Sequence, residues 1–345
     1  MSSNLTIPKY NLFSKLKSID IYNIFLNIVS ILLIIATVLL IIQPQKYMDS
    51  IIAGLNLFFY SVLPSLLPFL FLSKLLNELG VFNKIGKLLK PITKGIFNCP
   101  TITGYAMCMS YICGYPVGAK IIGELYKSKQ ISQEEAKKMI ALCTTSGPIF
   151  VIGAVGVGLL NNFKLGVLIF ICHILGSLLT GFIFTRKKIK TETPKGQKSC
   201  TYITKDILNS CTQSTISSIL TVAVYVSIFY MFIDMAYDLN IIGGGSVLLE
   251  KLLSFLKLDP NLSSSITAGF IEMTRGCKEL SSSQSSLCKL IFCSGIISFS
   301  GLSIILQSLT FLSGTQIRPS YFLLIKLSQF FITCIVGFGL GIILL

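Results

Sequence analysis

Hydrophobic and polar positions segregate along this chain into long apolar runs separated by short basic stretches. Seven runs reach the length of a bilayer-crossing helix, about 20 residues: Ile21 to Ile42, Ala53 to Leu72, Met139 to Leu160, Phe163 to Phe184, Thr212 to Asp234, Leu287 to Leu312 and Tyr321 to Leu345. The first outlasts the apolar core of a cleavable signal and ends at Gln43-Pro44, so it is expected to stay as a span. Two further segments, Thr101 to Leu125 and Leu262 to Ser282, are too short in their apolar parts and too polar-tipped to cross, and carry a glycine-containing break near the middle. They are expected to be re-entrant hairpins, which need protein or a polar cavity around their irregular backbone. Each follows an amphipathic stretch, Val81 to Phe97 and Ile241 to Leu258, expected to lie in the interface plane.

Composition agrees. Of 345 residues 52% are hydrophobic and 12% charged, against about 25% charged in soluble domains. That excludes an ordinary soluble enzyme, a disordered chain and a nucleic-acid-binding domain, despite a net charge of +15. The cations instead report orientation. With the N-terminus in the cytoplasm, the inside segments hold three cations in the N-terminal tail, five in 74–98, five in 120–138, seven in 185–206 and Arg318, making 21 of the 29 Lys and Arg. Six fall outside, and Arg275 and Lys326 lie at membrane depth. This asymmetry is the positive-inside pattern. The 11 cysteines include no CxxC pair and no metal-like cluster with His, and read as small buried hydrophobes.

After the first span the order span, interfacial helix, hairpin, broken span, span occurs twice. The expected organisation is residues 1–50 as tail and first helix, 51–184 as repeat 1, 185–206 as a basic cytoplasmic loop and 207–345 as repeat 2. Gly104-Tyr105 with Gly114 is echoed by Gly269-Phe270 with Gly276, and Thr144-Thr145-Ser146-Gly147 by Ser298-Phe299-Ser300-Gly301. Three crossings per copy make the copies opposite in orientation. Inverted repeats with discontinuous helices are the pattern of secondary transporters.

Four polar breaks hold the candidate chemistry. Gly114-Tyr115-Pro116-Val117-Gly118 combines flexible glycines with a proline suited to starting the returning helix, whose N-terminus is an anion site. Thr144-Thr145-Ser146-Gly147-Pro148 sets three hydroxyls before a helix restart. Glu272-Met273-Thr274-Arg275-Gly276 places a carboxylate and a guanidinium three residues apart, on one face of a helix. Both are costly at membrane depth unless paired or facing a polar cavity. Arg275 is the candidate partner of a substrate carboxylate, unless it and Glu272 neutralise each other as a structural pair. Ser298-Phe299-Ser300-Gly301 is the fourth break, with Ser294, Ser303 and Gln307 nearby. Its small residues, like those of the second, also suit plain helix packing. His173, the only histidine, is either functional or packed against a backbone carbonyl. Lys120 reads as a rim residue, and Asp234 and Asp238 as interfacial. There is no GxxxxGK[ST], GxSxG or HExxH motif, so neither an ATP-driven pump nor an enzyme is expected.

At these breaks the sequence resembles a known family. Leu63-Pro64-Ser65-Leu66-Leu67-Pro68-Phe69, Gly114-Tyr115-Pro116-Val117-Gly118-Ala119-Lys120 and Ser146-Gly147-Pro148 with the following Ile149 to Gly158 are similar to the sporulation integral membrane proteins of the YlbJ type, which carry the nucleoside recognition (Gate) domain. The apolar Ile112 and Cys113 stand where that family's pattern has hydroxyls. The resemblance implies a fold related to concentrative nucleoside carriers and movement of dipicolinate from mother cell to forespore across the outer forespore membrane. On that reading two helix N-termini and Arg275 hold the two carboxylates, Tyr105, Tyr111 or Tyr115 flanks the ring, and Arg275→Ala lowers spore dipicolinate.

The resulting expectation is an all-α polytopic membrane protein with about seven transmembrane helices and two re-entrant hairpins in an inverted repeat. It takes a small anionic substrate in a lipid bilayer, with H⁺ or Na⁺ as the coupling ion, no cofactor, no metal and no nucleic acid, alone or as a homo-oligomer. A nucleoside or nucleobase carrier, and a non-transporting component of spore assembly, are the competing readings.

Overall fold

The computed structural model describes residue 27 and residues 30–79, 81–186, 205–255 and 258–345. Residues 187–204 of the expected basic loop 185–206, the N-terminal tail and most of the first half of the first span lie outside them. The chain divides into a small unit up to Asp49 and a large one from Ser50 to Leu345. In the small unit helix α1, Ser30–Ile42, leaves Ile31, Leu33, Ile34, Ile41 and Ile42 exposed. Helix α2, Pro44–Leu57, starts on the proline, where its missing N–H costs nothing.

Among its described residues the large unit consists of helices joined by turns and loops, with no strand. A π-helical turn, Phe58–Val62, runs into α3, Leu63–Glu78, followed by α4, Val81–Leu88, and a second π-helical turn, Pro91–Ile96. Helices α5, Thr103–Cys113, and α6, Val117–Lys127, form the first hairpin. Helix α7, Gln133–Cys143, stops at the Thr144–Pro148 break, and a π-helical stretch, Ile149–Leu159, continues it before α8, Phe163–Thr185. The second half has α9, Lys205–Asp238, then α10, Ile241–Phe255, and a hairpin of α11, Leu262–Ile271, and α12, Met273–Leu280. The broken helix α13, Ser286–Phe299, and α14, Gly301–Phe311, precedes α15, Pro319–Leu344. The order of elements expected from sequence, long helix, short helix, hairpin, broken helix and long helix, is therefore present twice.

Local chemistry sets several boundaries. Ser132 and Glu135 form a reciprocal capping box at the start of α7, while Asn162 caps α8 and Ser285 caps α13. Each side-chain oxygen takes an N–H that has no partner in the first turn. Helix α9 begins seven residues before the expected span, because hydropathy marks membrane depth and not the end of a helix.

Burial explains how the helices are arranged. The α13–α14 span is enclosed, with α13 against α15 and α8. The outer helices show continuous apolar stripes: Ile171, Leu175, Leu179 and Ile183 on α8; Ile216, Leu220, Val224 and Ile228 on α9; Phe331, Ile335, Phe338 and Ile342 on α15. A stripe at this spacing lies on one helix face, and apolar surface of this extent is satisfied by lipid and not by water. Among the described residues four helical spans, including α13–α14 taken as one, are long and apolar enough to cross a membrane, and Ser30–Ile42 adds a fifth only if taken together with Pro44–Tyr60. The expected spans Ala53 to Leu72 and Met139 to Leu160 are interrupted, at Phe58–Val62 and at Thr144–Pro148.

Candidate functional site

Both hairpin tips end against helix breaks. Gly114, at φ +79°, closes α5, a conformation that L side chains avoid. A Cβ there would lie 2.5 Å from the Gly147 nitrogen, and one on Gly147 would lie 2.7 Å from the Ile112 carbonyl. In the second half, Gly301, at φ +70°, sits where a Cβ would come within 3.2 Å of Met273, Ile271 and Glu272 backbone atoms. The two glycines that the sequence echo aligned, Gly147 and Gly301, thus make the same backbone-to-backbone contact with the hairpin tip of their own half. The second arms cross over: α6 packs on α14, and α12 on the Ile149–Leu159 stretch.

The tips and breaks enclose a cavity lined by Gly114, Tyr115, Ser146, Gly147, Glu272, Thr274, Ser303 and Gln307, with Val62, Phe150, Val222 and Val226 supplying apolar wall. First-turn residues of Ile149–Leu159, α12 and α14 all face it. Helix N-termini carry positive partial charge. The enclosed space is ≈ 60 Å³, room for a few waters at about 10–15 Å³ each and too little for an aromatic solute.

The remaining site candidates fall into three groups. Pro116 leads into α6, and Gly118 meets the Cys143 carbonyl so closely that a Cβ would lie 1.6 Å from its oxygen. Gly276 packs on Gly269 across the second hairpin. Thr144, Thr145, Ser298 and Ser300 are buried behind the cavity wall. The Thr145 amide donates to Ser110 Oγ at 3.1 Å, and the Thr144 hydroxyl to the Ile140 carbonyl at 2.8 Å, tying the break to α5 and α7. Ser300 bonds its neighbour Phe299 at the left-handed residue between α13 and α14.

Arg275 departs from expectation. It does not line the cavity. Glu272 is the N-cap of α12 in an extended conformation, so it stands off the helix face on which Arg275 lies, and the three-residue spacing brings no side-chain pairing. The carboxylate of Glu272 accepts from the Arg275 amide at 2.8 Å and from the Thr274 hydroxyl at 3.0 Å. The guanidinium turns away, to Glu279 at 3.0 Å and Asp234 at 3.5 Å. Of the three tyrosines, Tyr115 alone lines the cavity. The Tyr111 hydroxyl bonds Ser177, and Tyr105 belongs to a separate hollow beside Lys120 and Glu124. Lys120 donates to Ser214 Oγ at 2.9 Å and Ser218 Oγ at 2.7 Å, so it anchors the first hairpin to α9.

Two buried residues join the breaks of the two halves. His173, on α8, accepts the Ser146 amide at Nε2 (2.8 Å), and its Nδ1 lies 2.7 Å from Ser298 Oγ. Accepting at Nε2 puts the proton of the neutral ring on Nδ1. Lys326, on α15, reaches the Thr144 carbonyl at 2.5 Å, Gln329 Oε1 at 2.8 Å and Tyr115 Oη at 3.1 Å. Sequence reasoning placed Lys326 at membrane depth but gave it no role. The available signal was its spacing from Gln329, two polar side chains one turn apart in an otherwise apolar helix.

A family model described as nucleoside recognition (Gate) matches residues 59–163, from the first π-helical turn through the first hairpin and its break to the start of α8. No solved structure matches the chain. The sporulation integral membrane protein YlbJ of Bacillus subtilis (strain 168) is 31% identical over 314 residues, covering 85% of this chain and 77% of that protein. With identity at this level across most of both lengths, the chain belongs to the family of YlbJ-type sporulation integral membrane proteins.

Proposed function

We propose that this protein is a transporter, without enzymatic activity, that moves a small organic anion by alternating access. Dipicolinate crossing the outer forespore membrane is the first candidate. The observation that carries the reading is the small cavity at which two hairpin tips and two helix breaks converge. Discontinuous helices meeting at the centre of two repeats are how secondary carriers bind substrate. On this reading the halves are inverted, the hairpins are re-entrant and the N-terminus is cytoplasmic. Opening requires a tip to part from its break. The anion meets the first turns of the Ile149–Leu159 stretch and of α14, where backbone N–H groups and the helix dipole favour negative charge. Membership in a sporulation family supports the cellular setting.

The test is counterflow in proteoliposomes containing purified protein, with labelled dipicolinate and labelled uridine. Saturable dipicolinate exchange that uridine does not inhibit is the expected result. Uridine exchange without dipicolinate exchange would establish the nucleoside reading, which one observation favours: the polar lining is Tyr115, Ser146, Glu272, Thr274, Ser303 and Gln307, without Arg275. Exchange of neither, by protein shown to be folded, would leave a non-transporting role in spore assembly.

Arg275→Ala is expected to retain most of the exchange rate. The guanidinium is partly exposed and engages Glu279 and Asp234 away from the cavity, and such pairs contribute about 0–1 kcal/mol. Exchange rate and melting temperature of the purified variant check this, and a rate loss of ten-fold or more would restore Arg275 to the binding site.

A further inference from the structure

Lys326 is fully buried and surrounded by oxygen. Its Nζ lies 2.5 Å from the Thr144 carbonyl, 2.8 Å from Gln329 Oε1, 3.1 Å from Tyr115 Oη and 3.5 Å from the Ser298 carbonyl. The Tyr115 hydroxyl donates its own proton to the Ile297 carbonyl at 3.1 Å, so it offers Lys326 a lone pair. Gln329 is fixed from the other side, donating Nε2 to the Ala141 carbonyl at 3.2 Å, which leaves its Oε1 for the amine. All four neighbours are therefore acceptors. An ammonium has three donors and no acceptor, and among the described residues no carboxylate forms an ion pair with it.

The origin of the two carbonyls identifies the site. Thr144 directly follows the last residue of α7, and Ser298 lies in the last turn of α13. Both come from first half-helices of broken spans, one from each half of the chain. Such C-terminal carbonyls lack intrahelical partners and carry the negative end of the helix dipole. In carriers built from broken helices, freed carbonyls of this kind coordinate the coupling cation. Here the position is filled by a side chain of α15.

We propose that the oxygens of Thr144, Ser298, Tyr115 and Gln329 form a monovalent-cation site whose occupant is the tethered ammonium of Lys326. It takes the place of a dissociable coupling cation, holds the two breaks together, and leaves the transport cycle without a requirement for Na⁺ or K⁺. The statement about coupling rests on the transporter reading; the cage and its occupant do not.

The experiment separates the two. Lys326→Ala removes a fragment equivalent to n-propylammonium, so that ion is the probe, with tetramethylammonium, which has no N–H, as the control. The variant, purified in detergent, is expected to melt below wild type and to regain about 2 °C from n-propylammonium at ten times half-saturation. Tetramethylammonium is expected to leave it unchanged, and wild type is expected to respond to neither. A folded variant that responds equally to both salts overturns the proposal. Should the variant fail to fold, wild-type protein still decides: its melting temperature and its dipicolinate exchange are expected to be the same in NaCl, KCl and N-methylglucamine chloride. Stimulation or stabilisation by Na⁺ or K⁺ would mean an open cation site and would also overturn it. If n-propylammonium rescues the variant while wild type exchanges no solute, the cage stands and the transporter reading fails.

Discussion

Alanine at position 114 is expected to abolish transport and to lower the melting temperature of the purified protein by about 6 °C. Two costs add. Gly114 has φ +79° and ψ −164°, a region where a residue with a Cβ stores about 1–3 kcal/mol. The new Cβ also meets the Gly147 nitrogen at 2.5 Å, and overpacking of this kind costs about 1–3 kcal/mol more. The obstructing atom is backbone, so no side-chain rotation relieves it. Only separation of the tip from the break does, and that contact forms one wall of the cavity. At about 1.4 °C per kcal/mol for a chain of this length the sum reaches the stated shift. Gly339→Ala is the matched control: a Cβ there meets nothing within 4 Å, and alanine is the better helix former, so activity and melting temperature are expected to hold or rise. Thermal melts of both variants, with exchange rates per mole of folded protein, check the pair. Wild-type behaviour of Gly114→Ala would remove the close tip-to-break contact from the mechanism.

The contrast between those two glycines shows what the chain discloses before folding. Breaks are local events and leave local marks. Gly114 with Pro116, Gly147 with Pro148, and Ser300 with Gly301 each interrupt an apolar run, and the hairpins and broken helices formed where those marks stand. The extent of α8, Phe163–Thr185, was equally legible in the apolar run Phe163 to Phe184. What brings the breaks together is not local. His173 joins Ser146 to Ser298, 125 residues further along, and Lys326 reaches Thr144 and Tyr115, 182 and 211 residues back. Nothing in the neighbourhood of either residue names these partners. A solitary polar side chain in an apolar helix announces only that a partner exists. Arg275 failed for a different reason. Its spacing from Glu272 has meaning only if both residues are helical, and Glu272 is a cap. One residue of helix boundary turned an expected pair into two groups facing different ways.

Glu272→Gln is expected to eliminate uptake driven by a pH gradient while leaving downhill exchange measurable. Glu272 is buried, lines the cavity and is bound on both oxygens by the α12 N-terminus. An ionised carboxylate there opposes the entry of a dianion, and a proton arriving with the substrate removes the repulsion. If Lys326 fills the cation site as proposed, a proton on Glu272 is the candidate for coupling. Glutamine retains the shape and one acceptor for the helix start, so the structural loss is confined to a charge-assisted bond, about 1–2 kcal/mol. Its melting temperature should fall by only a few degrees. Glu272→Ala, which removes the cap altogether at about 0.5–2 kcal/mol, should be no more active and less stable. The measurement is dipicolinate accumulation in proteoliposomes with an imposed pH gradient, beside counterflow with none. Full gradient-driven accumulation by the glutamine variant would confine Glu272 to capping α12. Loss of both activities with an unchanged melting temperature would place its charge in substrate binding itself, the arrangement expected of a nucleoside site.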